Sequence, residues 1–409
     1  MSEIKYYKIK FVLASPLAIG SGENTSTDSD VILDSKGNPV IPATAFAGVI
    51  RHYLGIECND RNEVFGYING QEHCESKIRF YDAVSVSDSF VTVRDCVALE
   101  NKVAKKSAKF DMEAVESGAE FVTLTELRDY ADYDNQIREA IRALNNGYLR
   151  IGSKTSRGYG QIKITELKSA EFDLSDEKSR RKWLDFEPFD YFSDKCYENC
   201  DIDEDYRNKF TKIHLELKQN GAISIRSYTV KNADDISSAD YVQLSTKDNI
   251  PVIPGTSWAG VFRERFLQFS DKNLTDKLFG FVDEKSKNQK KSGIYFSESR
   301  LNGGNWKVIT RNSIDRFSAG TKDGALYTEK TYYNGKCGLD IFIADSDEIS
   351  EYIKILSAVI CDLDRGFLAV GGLSSVGRGL FSVEKAEING RNITDALKNG
   401  NISEMAGDE

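Results

Sequence analysis

Residues 38–51 read NPVIPATAFAGVIR, and residues 250–263 read IPVIPGTSWAGVFR. One shift of 212 residues carries Val40-Ile41-Pro42 onto Val252-Ile253-Pro254, Phe46 onto Trp258, Gly48 onto Gly260 and Val49 onto Val261. It also carries Ile50 onto Phe262, Arg51 onto Arg263 and Leu54 onto Phe266. The apolar members recur at i, i+3, i+4 and i+8, the spacing of one buried helical face. The residue before each proline is held extended. Thr44 or Thr256 is then placed to cap a helix, so each copy predicts a strand passing abruptly into a helix.

The repeat extends in both directions. KIKFVL (8–13) and KIHLEL (212–217) alternate apolar and polar residues, as half-buried strands do. VFGYINGQEHCESKIRFYDA (64–83) parallels LFGFVDEKSKNQKKSGIYFSES (278–299): an aromatic-glycine stop, a polar loop, then a strand. VRDCVALENKVAKKSAKFDMEAVESGAEF (93–121) parallels TRNSIDRFSAGTKDGALYTEKTYYNGKCGLDIF (310–342), a strand leading into an excursion and back through a second strand. A second amphipathic helix follows in each half, NQIREAIRALNNG and EYIKILSAVICDLDRG, and then a glycine-rich segment and strand.

Each half therefore reads β–α–β–β–α–β with an insertion between its middle strands. The fold class is α+β: two tandem ferredoxin-like, RRM-like domains, each an antiparallel sheet with two helices on one face. The other face is expected to be free for a ligand. The boundaries are a first domain over 1–168, an acidic linker over 169–209, a second domain over 210–395 and a polar tail over 396–409.

Composition narrows the function classes. The chain has 409 residues, 40% hydrophobic and 29% charged, with a net charge of −10. That is a soluble globular composition with room for two cores. The 169–209 stretch holds thirteen acidic against seven basic residues, so it carries six of the ten excess negative charges. The rest of the chain is nearer neutral and can present local basic grooves, but a freestanding nonspecific nucleic-acid binder is excluded. No apolar run reaches transmembrane length and the start MSEIKYYKIK has no signal-peptide core, so no membrane partner is expected. Seven scattered cysteines point to a reducing, cytoplasmic location.

The glycine-rich segments GSKTSRGYG (152–160) and GGLSSVGRG (371–379) are candidate phosphate cradles. Glycine lets backbone approach a ligand, and hydroxyls with backbone amides bind anions. Gly152, Ser153, Lys154, Ser156 and Arg157 serve in the first copy; Gly371, Gly372, Ser374, Ser375 and Arg378 serve in the second. Tight hairpin turns are the competing explanation. Neither segment is a P-loop or a Rossmann turn. His52, His73 and His214 form no catalytic pair, and Cys58, His73, Cys74 and Cys96 match no standard zinc spacing, so no protein-bound structural metal is expected.

The blocks NPVIPATAFAGVIR, IPVIPGTSWAGVFR, VFG and LFG, IRFYDA and LRIGSKTSRGYG resemble the signature blocks of the RAMP superfamily, in family order over 5–168 and 210–395. The nearest resemblance is to backbone subunits of type III CRISPR effector complexes of the Csm and Cmr kinds, here as a tandem pair. That resemblance implies a subunit that binds a crRNA guide and presents complementary target RNA, beside other CRISPR effector subunits.

It also implies that the helix after the IPG block (Thr44 and Arg51; Thr256, Ser257 and Arg263) and the glycine-rich loop hold guide phosphates. The insertions become thumb-like hairpins near 99–115 and 315–330, with Lys102, Lys105, Lys106 and Arg316 on RNA. The family's lysine after the small helix residues is absent, since Ala47 and Ala259 stand there, and Ala43 replaces the usual first-copy glycine. A loop aspartate of the form D-x-x-V-I cleaves target RNA in nuclease members with Mg2+ or another divalent cation. Asp28 fits that form and Asp240 lies at the shifted position, with Asp234 and Asp235 as neighbouring alternatives and a plain turn-capping aspartate as the competing explanation; the match makes the chain a candidate metal-dependent endoribonuclease. A non-catalytic scaffold or end-capping subunit, or a guide-processing endoribonuclease, are the alternatives.

Overall fold

The computed structural model describes residues 3–22, 27–57, 64–100, 103–202, 210–227, 239–246, 248–282 and 288–401. The chain divides into two compact units, Met1–Thr155 with Tyr159–Asn208, and Ser156–Gly158 with Lys209–Glu409.

The first unit is built on β1 (Glu3–Leu13), β2 (Val40–Ile41), α1 (Ala43–Glu57), β3 (Ile78–Phe80), β4 (Ala83–Ser85), β5 (Val91–Glu100), β6 (Val103–Val115), β7 (Glu120–Arg128), α2 (Tyr130–Asn145) and β8 (Ile162–Asp173). Its antiparallel sheet runs β8–β1–β7–β4–β2, with β3 also on β7. Side chains alternate across a strand. One face of β1 therefore sends Tyr7, Ile9, Phe11 and Leu13 into a core shared with Phe46, Ile50, Tyr53 and Leu54 of α1 and Ile137, Ile141 and Leu144 of α2.

The second unit repeats this with β10 (Phe210–Asn220), α4 (Gly255–Phe269), α5 (Lys272–Phe279), β11 (Ile294–Phe296), β12 (Asn305–Ile314), β13 (Thr321–Tyr333), β14 (Lys336–Ala344), α6 (Ile349–Asp364) and β15 (Leu380–Ile388). Its main sheet runs β11–β14–β10–β15. Trp258, Phe262 and Phe266 bury the helical face read from the repeat, against Ile213, Leu215 and Leu217 of β10. In both units the principal strands follow the β–α–β–β–α–β order, so the mixed α+β reading with antiparallel sheets holds.

Three features differ from expectation. The insertions are antiparallel hairpins, but they begin earlier than 99 and 315, because β5 pairs with β6 from Val91↔Val115 and β12 with β13 from Asn305↔Tyr333. The polar tail begins later than 396, since α7 (Thr394–Asn399) buries Ala396 and Leu397 in the second core.

The acidic stretch expected to link the domains instead packs on the first. After β8 come α3 (Glu177–Leu184) and β9 (Glu198–Asn199), and β9 pairs with β8. This strap covers the outer face of the first sheet. Phe186 lies 5.0 Å from the rings of both Tyr6 and Phe172, and Tyr197 lies 5.4 Å from Phe186. Asp194 accepts from Lys8 at 2.9 Å and from Lys168 at 2.7 Å. The outer face expected to be free for a ligand is thus covered around Tyr6, Lys8 and Phe172 in the first unit, while Lys10 and Glu120 stay part-exposed. In the second it carries polar side chains instead: His214 hydrogen-bonds Asp340 at 2.6 Å, and Lys212–Asp340 at 3.2 Å and Lys336–Glu384 at 2.7 Å are ion pairs.

Candidate nucleic-acid interface

The glycine-rich loops are anchored identically. Ser153 N–H donates to Ala18 O and Gly372 N–H to Ser224 O, each at 2.8 Å. Gly160 N–H donates to Pro16 O and Gly379 N–H to Ala222 O, also at 2.8 Å each. Gly160 and Gly379 have φ of 79° and 75°, and a Cβ on either would lie 1.9 Å from a carbonyl oxygen (Ile151 or Val370). These two glycines are therefore required by the chain's own turn, the role weighed against phosphate binding. Gly152, Ser153 and Arg157 in the first loop, and Gly371, Gly372, Ser374 and Ser375 in the second, remain exposed; Ser156 is half-buried.

Two of the expected phosphate cations point elsewhere. Arg378 is 2% exposed and its guanidinium pairs with Glu329 of β13. Both partners are buried, so the guanidinium faces Glu329 and not solvent, unlike the exposed position expected of it. Lys154 is half-buried, with its ammonium over the Phe110 ring at 4.3 Å and against Met112 Sδ of β6.

The helix starts also differ from prediction. Thr44 is exposed and is the second residue of α1, not its cap; the Ala43 N–H donates instead to Asp82 Oδ1 at 2.7 Å. Thr256 and Ser257 are half-buried in the first turn of α4, which has no side-chain cap, and Ser257 N–H donates to Pro254 O at 2.9 Å. The matched arginines have diverged. Arg51 is exposed with its guanidinium 5.9 Å from the Phe65 ring centre, whereas Arg263 is paired with Asp276 at 2.8 Å.

On the hairpins, Arg316 is exposed at the tip between β12 and β13, beside Phe317, which is 92% exposed. The Asp315 carboxylate accepts from the N–H groups of Phe317 and Ser318, each at 2.9 Å, and so shapes that turn. These hydrogen bonds hold the Asp315 carboxyl below its ordinary range. Lys105 and Lys106 fall on β6, with their side chains outside those described, and Lys102 lies outside the described residues.

The two loop aspartates occupy one geometry. Asp28 Oδ2 accepts from Asp111 N–H of β6 at 3.0 Å, and Asp240 Oδ2 accepts from Thr328 N–H of β13 at 2.6 Å. Asp111 Oδ1 returns the contact by accepting from Asp28 N–H at 2.9 Å. Both loop aspartates are exposed. Among the described residues no three His, Cys, Asp or Glu side chains gather as a metal site. Mg2+ ordinarily keeps several waters and takes one or two carboxylates plus substrate phosphates. Among the described residues, one exposed loop aspartate in each copy, with the Asp111 carboxylate beside it in the first, fits that mode, with Asp28 or Asp240 as the protein ligand.

Sequence reading missed Asp82, Asp111, Thr328, Glu329, Met112 and Tyr159. The last held a readable signal: aligning the glycine-rich loops sets Tyr159 opposite Arg378, and Tyr159 is buried with Met112. A residue facing solvent in both copies would not need an aromatic ring in one.

The RAMP superfamily family model matches residues 10–163 and 229–382, most of the chain in two tandem regions. The chain belongs to the RAMP superfamily. No curated protein matches it. Among solved structures, a chain in a type III-B Cmr-beta complex bound to cognate target RNA is similar at 18% identity with a TM-score of 0.33. That match covers 44% of this RAMP chain and 61% of the other, under two thirds of its length. Among the described residues no helix is long and apolar enough to cross a membrane.

Proposed function

We propose that this RAMP protein is a guide-RNA-binding backbone subunit of a type III CRISPR ribonucleoprotein, working with a crRNA guide, complementary target RNA and other effector subunits. The observation that carries the reading is RAMP membership in both halves, with a hairpin and a glycine-rich loop repeated in each. Arg51, Arg157 and Arg316 are the exposed cations suited to phosphates. The full-length chain should bind a labelled single-stranded RNA with an affinity that falls as salt rises. Arg51→Ala, Arg157→Ala and Arg316→Ala should each weaken it for every sequence and lower the salt slope by about one. Salt-independent binding, or an unchanged slope in all three variants, sinks the reading.

Cleavage of the bound target is the finer proposal, favoured by an exposed aspartate at the same place beside each hairpin. In that step the 2′-hydroxyl oxygen attacks the adjacent phosphorus and its proton passes to Asp28 or Asp240. The bond to the 5′-oxygen breaks, and that oxygen takes a proton from water, leaving a cyclic phosphate and a 5′-hydroxyl. A divalent cation held by the same carboxylate would stabilise charge on the phosphate. Asp28→Asn and Asp240→Asn suit the test, because an amide oxygen still accepts the hairpin N–H but is neither a base nor a strong metal ligand. With the chain in its native complex, each should abolish one set of cuts while RNA binding stays. Cuts persisting in the double variant would leave the scaffold alternative standing.

A further inference from the structure

Each hairpin is held at two neighbouring residues of its return strand, and the two copies use the same pair of positions. The first point is the loop aspartate: Asp28 on the amide of Asp111, and Asp240 on the amide of Thr328. The next residue along the strand, Met112 or Glu329, is taken by the glycine-rich loop. Tyr159 packs with Met112 and Lys154 rests on it in the first copy, while Arg378 pairs with Glu329 in the second. Tyr159 and Arg378 are equivalent because each precedes the glycine whose N–H is fixed by Pro16 or Ala222. Among the described residues, Glu329 Oε2 and Arg378 Nη2 are buried with no further hydrogen-bond partner, so this pair's polar groups answer chiefly to each other.

We propose that this two-point clamp sets the hairpins, and that Arg378 and Lys154 are positioning residues in it rather than phosphate ligands. The glycine-rich loop and the hairpin then move as one body, and the phosphate-facing part of each loop is left to exposed amides, hydroxyls and Arg157. A charged pair in one copy and an aromatic–thioether pair in the other do the same mechanical task. The requirement is thus for a filled, matched contact, not for a cation.

The test transfers the first copy's contact to the second. Arg378→Ala should speed amide hydrogen exchange across 305–333 by at least tenfold, and the double variant Arg378→Tyr with Glu329→Met should return it to within about threefold of the parent. Unchanged exchange in a folded Arg378→Ala chain overturns the clamp. So does a double variant that exchanges as fast as the single one. If Arg378→Ala does not fold, the double variant decides alone: it must fold and keep hairpin protection. A second readout rests on the RNA-binding reading. The salt slope for a labelled single-stranded RNA should be the same in the double variant as in the parent, whereas a fall of about one would make Arg378 a phosphate ligand and overturn the proposal. Should the parent chain not bind RNA, that reading fails, and the exchange experiment still decides the clamp.

Discussion

The two halves solve one set of mechanical problems with different side chains. At the helix core, Phe46 packs on Phe11 at 6.0 Å in the first half, and Trp258 stands in its place in the second, 5.5 Å from Phe381. The indole brings a polar atom into the core, and its Nε1–H donates to Ser299 Oγ at 3.1 Å. The residue opposite Ile41 in the first half is Ala83, and the residue opposite Ile253 in the second is Ser299. Phenylalanine goes with alanine and tryptophan with serine, because a buried N–H needs an acceptor and a ring without one does not. The halves share a backbone, and their side chains have changed in matched sets.

The largest effect should come from breaking that set. Trp258→Ala should destabilise the protein by about 3–5 kcal/mol in chemical denaturation, as loss of a large buried ring does. Trp258→Phe leaves Ser299 Oγ without its indole donor and should lose about 1–3 kcal/mol, part of which Ser299→Ala restores by recreating the first half's pairing. Additive losses in the double variant would show that the two positions are not coupled.

Smaller effects sharpen the contrast at the helix starts and outer faces. Asp82→Ala removes the side-chain cap of α1 and should lower stability by about 1 kcal/mol. No such loss is available at α4, which has no side-chain cap.

The strap gives the smallest effect, seen by pH. Hydrogen bonds from Lys168 and then Lys8 hold the Asp194 carboxyl below its ordinary value of 3.8. Folding therefore gains from this depressed carboxyl above that value and loses the gain as pH falls through the lower, folded-state value. Fluorescence of Trp183, read in a Trp258→Phe, Trp306→Phe background, should report the strap loosening under acid. An Asp194→Asn variant should show a weaker attachment already at neutral pH, with a flatter acid response. Identical acid profiles for the two would remove Asp194 from the tether.

The duplicated helices, the strand order and the existence of both hairpins were legible because they rest on local periodicity that occurs twice. Phe46 and Trp258, 212 residues apart and at the same place in the repeated block, can be matched without any structure. What was hidden rests on contacts between distant parts of the chain. Nothing near Phe186 or Asp194 announces Tyr6 or Lys8 as their partners, so an acidic stretch read as a linker proves to be a cover. The burial of Arg378 is hidden for a related reason. A cation among glycines looks solvent-facing until its partner, Glu329, is brought beside it by a hairpin whose register the sequence does not display. Asp28 is singled out by the D-x-x-V-I form of the family it resembles and Asp240 by the 212-residue shift, but their bond to the hairpin amides is not legible, since the backbone groups they engage leave no mark on residue identity.

The buried pair of Arg378 and Glu329 also acts as a check against misfolding. A β13 strand settled one residue out of step would face Arg378 with Thr328 or Lys330, turning a matched charge into a stranded one. An uncompensated buried charge costs about 3–5 kcal/mol, a large share of a domain's stability, so slipped forms of this hairpin are disfavoured before they can persist. In the first half the buried ion pair lies at the base of the hairpin instead, Arg94 on Glu116 at 2.7 Å, so each hairpin carries one charge match that a slipped register would break.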